Sequence, residues 1–248
     1  MSVTYQTLNM SNGGGNQNLL INSRGKINQA NESDGVLSAG QYFCDGWKAG
    51  AAGAEVYRDA DGFRLISGSI LQLVPNNLDT GRKIMGNMDV IQGSPVIRIN
   101  GGTDSELSND QVYIKFEVTG NNSKFTRLIL AESETTPIYQ QAPDELKPCK
   151  RFYELISGIN LVVSLSSNQS NVEYWATVAL GNDLVAPPAV ALSSNWALHK
   201  SGLYYDNVTS MYGDYIDGTV RVVILSQQNE GAQSAEMKNL NIELDARL

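Results

Sequence analysis

The chain has little of what most enzyme chemistry needs. Its 248 residues include one histidine, His199, and two cysteines, Cys44 and Cys149. A Ser–His–acid triad would have to use His199, and no Gly-x-Ser-x-Gly elbow lies near Trp196-Ala197-Leu198-His199-Lys200-Ser201-Gly202. One histidine and two distant cysteines also lack the ligand spacing of a zinc site. Two cysteines do not make a disulfide framework in a chain of this length, so both are expected reduced and buried, with a single Cys44–Cys149 bridge as the alternative. No run of 18 apolar residues is present, so nothing is expected to span a membrane. The start, Met1-Ser2-Val3-Thr4-Tyr5-Gln6, has no basic segment leading into an apolar one, so it does not read as a signal peptide, and synthesis in a cytosol is expected. Clusters of Lys and Arg are missing too. With 18 basic against 26 acidic residues the net charge is −8, which disfavours nucleic acid and anionic membrane surfaces as partners. No cofactor or metal is implied, and no carboxylate pair stands out among the acids as a glycosidase site, so an enzyme is not expected.

What the sequence does hold is the material of a β protein. Apolar residues make up 42% and charged residues 18%, enough to bury a core and too apolar for disorder. Val112, Ile114, Phe116 and Val118 alternate with Tyr113, Lys115 and Glu117. Ile159, Leu161, Val163 and Leu165 alternate with Asn160, Val162 and Ser164, and Leu240, Ile242 and Leu244 with Asn241, Glu243 and Asp245. Period two means one buried face and one wet face, the pattern of antiparallel sheets. Shorter runs at 63–74, 96–99, 125–130, 174–180, 189–192 and 220–225 read as further strands. Turn chemistry separates them at Asp61-Gly62, Asn100-Gly101-Gly102, Gly120-Asn121-Asn122, Gly181-Asn182 and Asp217-Gly218. Asp61-Gly62 is the strongest hairpin signal; Asp59-Ala60-Asp61-Gly62 also looks like the start of a calcium loop, but the third ligand and the closing Glu are absent. Helix is confined to at most one turn near Pro143-Asp144-Glu145-Leu146, limited by Pro148. The expected fold is all-β: an antiparallel β-sandwich or jelly roll in two sandwich-like units, residues 19–147 and 148–248. Residues 1–18, with Gly13-Gly14-Gly15, form a flexible arm that is either a frayed terminus or a docking arm for a partner.

Four patches then line up in order. They are Asn18-Leu19-Leu20-Ile21-Asn22-Ser23-Arg24-Gly25-Lys26-Ile27-Asn28-Gln29; Gly40-Gln41-Tyr42-Phe43-Cys44-Asp45-Gly46-Trp47-Lys48; Asp144-Glu145-Leu146-Lys147-Pro148-Cys149-Lys150-Arg151-Phe152-Tyr153-Glu154; and Glu243-Leu244-Asp245-Ala246-Arg247-Leu248. The series resembles bacteriophage and prophage tail-fibre proteins with a carbohydrate-binding-module-like jelly roll. The third patch carries the most specific match, through Glu145, Leu146, Cys149, Arg151, Tyr153 and Glu154, with Phe152 for a usual Tyr. Gly46 stands where Arg usually precedes the Trp, and Ser23-Arg24 replaces a common Gly-Asp. The resemblance implies a virion structural protein of the tail-fibre or host-attachment kind. It also implies a homotrimer, contacts with other virion proteins, and a bearing on host surface glycans. A capsid-bound head fibre or decoration protein, docking through residues 1–18, and a soluble carbohydrate-binding module are the alternatives. Within the patches, Trp47 is expected in the core, Asp45 bonded to nearby backbone, and Arg151 and Glu154 paired beside Tyr153.

One further segment draws attention. Residues 196–215 set Trp196, His199, Tyr204, Tyr205, Tyr212 and Tyr215 among Ser, Gly, Asn and Asp. Sugars present apolar C–H faces and hydroxyls together, and loops that mix aromatic and polar side chains suit them. Trp196, Tyr204, Tyr205, Tyr212, Asp214 and Tyr215 are therefore candidates for glycan binding. The same rings would pack equally well inside a sandwich edge or a subunit interface.

Overall fold

The computed structural model describes the backbone at residues 17–164, 172–180, 184, 186, 188–200, 203–205, 208–216, 219–226 and 234–247. Side chains are described at 17–160, 177–180, 184, 186, 188–192, 213–216, 219–223 and 240–247. Strand accounts for 56% of the chain and helix for 2%, so the all-β class read from period-two alternation holds. Among the described residues every strand pairing is antiparallel. Among the described residues no helix is long and apolar enough to cross a membrane.

The N-terminal unit contains β1 (Gly35–Leu37), β2 (Tyr42–Cys44), β3 (Trp47–Asp59), β4 (Gly62–Pro75), β5 (Lys83–Gln92), β6 (Val96–Ile99), β7 (Ser105–Leu107), β8 (Tyr113–Thr119) and β9 (Ser123–Glu132). They form one sheet that forks at β4. The first part of β4 pairs with β9, and its second part pairs with β8. Two leaves result, β9-β5-β7 and β8-β6, and they close on a common core. Ile114, Phe116 and Val118 are fully buried while Tyr113, Lys115 and Glu117 are half-exposed, as the alternation requires. Val112 lies just before the strand and is exposed. β5 escaped the sequence reading because its register slips twice, between Asn87 and Asp89 and between Val90 and Gln92, which erases a clean period. The β3–β4 hairpin forms where expected, but its two-residue loop is Ala60-Asp61, with Asp59 opposite Gly62. Gly62 has φ +125°, and a Cβ there would lie 2.4 Å from the Phe125 carbonyl oxygen. Only glycine serves both needs.

A single helical turn, α1 (Leu146–Cys149), connects the units. Asp144 Oδ1 accepts from the backbone N–H of Leu146 and of Lys147 at its start. Pro148 sits within this turn, where a missing N–H costs nothing because the first helical N–H groups have no partner in the helix.

The C-terminal unit is a sandwich of two sheets. One holds β10 (Tyr153–Ser164), β16 (Ser234–Asp245), β12 (Ala189–Lys200) and β13 (Leu203–Tyr205) in the order β10-β16-β12-β13. The other holds β11 (Val172–Ala179), β15 (Thr219–Ser226) and β14 (Val208–Ile216) in the order β11-β15-β14. Val220 and Val222 from one sheet and Leu240, Ile242 and Leu244 from the other make the core. The Gly120-Asn121-Asn122 and Asn100-Gly101-Gly102 turns fall between strands as expected; Gly181-Asn182 and Asp217-Gly218 lie outside the described residues. Cys44 and Cys149 are free and buried, and burial pushes both thiols up, Cys44 well above its usual value.

Candidate functional site

The four sequence patches converge on one place, the seam between the units. Asn22 sits at its centre with φ +48°. Its side-chain amide donates to the carbonyl oxygens of Ile27 (2.8 Å) and Asp45 (3.1 Å), its carbonyl oxygen accepts from Trp47 Nε1 at 3.0 Å, and its Oδ1 accepts from the Ile27 N–H at 3.0 Å. The first patch is thereby bound to the second. Trp47 is fully buried, as expected of a core residue. Gly46, where the family-like motif carries Arg, has φ +78°, and a Cβ would lie 2.8 Å from both Gln72 Nε2 and Ile21 Cδ1. The departure from the motif is a packing requirement.

Gln29 links three patches. Its backbone N–H and its Nε2 donate to the two Asp45 carboxylate oxygens at 2.7 and 2.6 Å, and Nε2 also donates to the Tyr153 carbonyl oxygen at 2.8 Å. Asp45 thus bonds to backbone as the sequence suggested. Burial raises its carboxyl pKa, an effect the Gln29 bonds reduce without reversing. Ile21, Cys149 and Phe152 form a small apolar cluster with Ile27 packed against it. The Cys149 thiol donates to the Glu145 carbonyl oxygen at 3.2 Å. Arg24 reaches Glu145 at 3.1 Å and Asp61 at 3.3 Å, and Tyr139 donates to Glu145 at 2.8 Å. Burial and that carboxylate push the Tyr139 hydroxyl up to about 12.

The fourth patch closes the seam. The Ala246 N–H donates to the Phe152 carbonyl oxygen at 2.8 Å. Arg247 bonds Glu32 at 2.6 Å and Asp245 at 2.7 Å, and its guanidinium lies over the rings of Tyr42 (4.6 Å) and Tyr153 (4.9 Å). Two carboxylates and two aromatic faces satisfy a cation that is only 10% exposed. Burial alone would raise the Asp245 carboxyl; the guanidinium and the Arg247 N–H outweigh it and hold the group below the usual range. The reading from sequence placed Arg151 and Glu154 as the polar pair beside Tyr153. Glu154 is buried and takes a salt bridge from Lys150 at 3.2 Å, Arg151 is exposed, and Arg247 also lies beside Tyr153. Nothing local in the sequence marked Arg247, since its partners lie up to 215 positions away.

A cavity of about 400 Å³ opens at this seam, lined in part by Asn18, Ile21, Tyr139, Glu145, Arg151 and Phe152. Its Asn18 is already engaged: Asn18 donates to Ser23 Oγ and to the Leu128 carbonyl oxygen, and accepts from the N–H groups of Leu20 and Leu130. The polar groups here hold chain to chain. At the suspected calcium loop, Asp59 is paired with Arg64 and Lys124, and Asp61 with Arg24 and Lys26, so both carboxylates already face cations. Among the described residues no cluster of three or more His, Cys, Asp and Glu is placed to hold a metal ion.

The glycan-binding candidates lie on strands of two sheets. The segment expected as aromatic and polar loops is mostly strand, in β12, β13 and β14. Val190 and Leu192 face the core from β12. Tyr205 stands opposite Leu198 and Tyr204 opposite His199. In β14, a Cβ at Gly213 would lie 2.6 Å from Val190 Cγ1. Position 213 therefore faces inward, and Tyr215, half-buried opposite Val220, does too. Asp214, opposite Arg221, occupies the outer face of the three-stranded sheet. Of the six candidates, Asp214 and Tyr215 have described side chains, and they alternate on β14. The side chains of Trp196, Tyr204, Tyr205 and Tyr212 lie outside those described, as does that of His199. Compared with protein-family models, with curated proteins and with solved structures, the chain matches none.

Proposed function

We propose that this protein is a non-enzymatic structural component of a bacteriophage virion, of the tail-fibre or host-attachment kind, with a jelly-roll-like N-terminal sandwich and a homotrimeric assembly. The observation that supports this reading is the meeting of four separated patches at one seam. Those patches carry the resemblance to tail-fibre proteins, and they account for the hydrogen bonds, the apolar cluster and the Arg247 clamp that join the two units. Residues used this way form a joint that transmits orientation between β modules, which is what a particle appendage needs from its building blocks.

The decisive experiment is mass spectrometry and immunogold electron microscopy of phage particles released by a strain that encodes the protein. Labelling at the tail is the expected result. Labelling on the head would favour the head-fibre or decoration reading, and particles without the polypeptide would end the virion proposal. Light scattering should give three times the 26.9 kDa chain mass; a strict monomer at micromolar concentration would remove the trimer.

A further inference from the structure

The two leaves of the N-terminal unit stay open along one side. β7 covers the outer edge of β5 at Lys83–Met85, and the Gly86 N–H reaches the Asp104 carbonyl oxygen at 2.7 Å. From Asn87 to Gln92 no strand among the described residues pairs with that edge. β6 pairs with β8 and, among the described residues, with no other strand. The Ile99 N–H turns away from β8 to the Thr103 carbonyl oxygen at 2.9 Å, so the backbone groups of Ile97, two positions earlier, turn the same way. Between the two edges lies an open cleft of about 500 Å³, lined in part by Met88, Val90, Pro95, Val96, Ile97 and Arg98. Val90 and Val96 are 51% and 50% exposed. Open backbone groups beside exposed apolar side chains are a template for one more strand.

The first residues of the chain supply a segment of the matching kind. Positions 1–23 hold no Asp, Glu, Lys or Arg, in a chain that is 18% charged. Ser2-Val3-Thr4-Tyr5-Gln6-Thr7-Leu8 is rich in β-branched and aromatic residues and lacks Pro and Gly. Extended, it sets Val3 and Tyr5 on one face. An uncharged segment of this composition favours a sheet edge over water. The reach also fits. Asn18 bonds β9 at Leu128 and Leu130, whereas Val90 stands opposite Phe125. Five residues along β9 and two strand spacings across it amount to about 20 Å. Residues 9–16, extended, cover about 26 Å, and three glycines at 13–15 permit the change of direction this path needs.

We infer that residues 2–8 dock in the cleft of their own chain as an added strand along the β5 edge from Asn87 to Gln92, with Val3 and Tyr5 turned toward Val90 and Val96. The inference goes beyond the virion reading and does not depend on it.

Hydrogen exchange read by mass spectrometry on the full chain tests the pairing. Thr4→Pro combined with Tyr5→Pro removes one donor from each edge of the added strand and touches none of the core residues. Amides of residues 87–92 should exchange about tenfold or more faster in this variant than in the parent, while those of β8 should exchange alike in both. Equal exchange at 87–92 would overturn the inference. A cross-link decides the occupant. In the full chain carrying Thr7→Cys and Val96→Cys, a short bis-maleimide should join the two positions within one chain, since Cys44 and Cys149 are buried. Thr7→Cys with Val112→Cys, an exposed apolar position outside the cleft, should link far less. No link at Val96, equal linking at Val112, or a product found only at twice the chain mass, which marks an arm seated in a second copy, would each overturn it.

Discussion

Five aromatic rings interlock in the N-terminal core. Trp47 and Phe63 lie 5.3 Å apart, Phe43 and Phe125 each lie 5.9 Å from Phe63, and Phe116 lies 6.2 Å from Trp47. The C-terminal core is aliphatic among its described residues, with Val220, Val222, Leu240, Ile242 and Leu244 at its centre. Rings bury more area than valine or leucine and add edge-to-face attraction of roughly 0.5–1.5 kcal/mol a pair. The two units meet at the seam through the Arg247 contacts. The C-terminal strands end on it: β10 begins at Tyr153 and β16 finishes at Asp245, and these two residues are opposite each other.

Core substitutions test this difference most severely. Trp47→Ala should cost about 3–5 kcal/mol, because it empties a ring site and strands the Asn22 carbonyl, whereas Ile242→Ala should cost about 2 kcal/mol. Urea titration read by far-ultraviolet circular dichroism measures both, and equal losses would erase the contrast. The seam comes next. Arg247→Ala leaves Glu32 and Asp245 without their cation and should cost roughly 2–3 kcal/mol, somewhat less than a fully buried pair because both carboxylates keep some solvent. If the C-terminal unit leans on the seam, the variant's unfolding should split into two transitions with the C-terminal one first; a single unshifted transition would show that Arg247 joins nothing.

The smallest effect is one of pH. Asp245 is held below the usual carboxylate range, so its bond to Arg247 stabilises the fold above about pH 4 and is lost as the pH falls further. Burial raises Glu32 and Asp45 in spite of their partners. Their contributions have the opposite sign, present at low pH and lost as the pH rises through the raised values. The melting-temperature gap between the parent and Asp245→Asn should therefore narrow between pH 6 and pH 3, by an amount worth under about 1 kcal/mol. A gap that stays constant would assign the effect of Asp245 to shape alone.

The strands at Val96–Ile99, Tyr113–Thr119 and Thr219–Ser226 could be read from the sequence because their registers are unbroken and one face is apolar. β5 could not, since bulges interrupt its period. Trp47, Asp45 and the two buried thiols were legible through residue type and local motif. Arg247 was not, because a buried cation is defined by partners brought from Glu32, Tyr42 and Tyr153. The glycan-binding candidates were chosen by proximity along the chain. The fold sets them on strands of two different sheets.

Alternation of apolar and polar residues, together with turn chemistry, was enough on its own to determine an antiparallel all-β protein with scarcely any helix, because strand periodicity is a property of each segment alone. Which strands neighbour one another, that four short patches meet at a single seam, and which aromatic residues share a face were decided by tertiary structure. Those relations depend on sheet order and register, and both arise from pairings between segments distant in sequence, as between Tyr153 and Asp245.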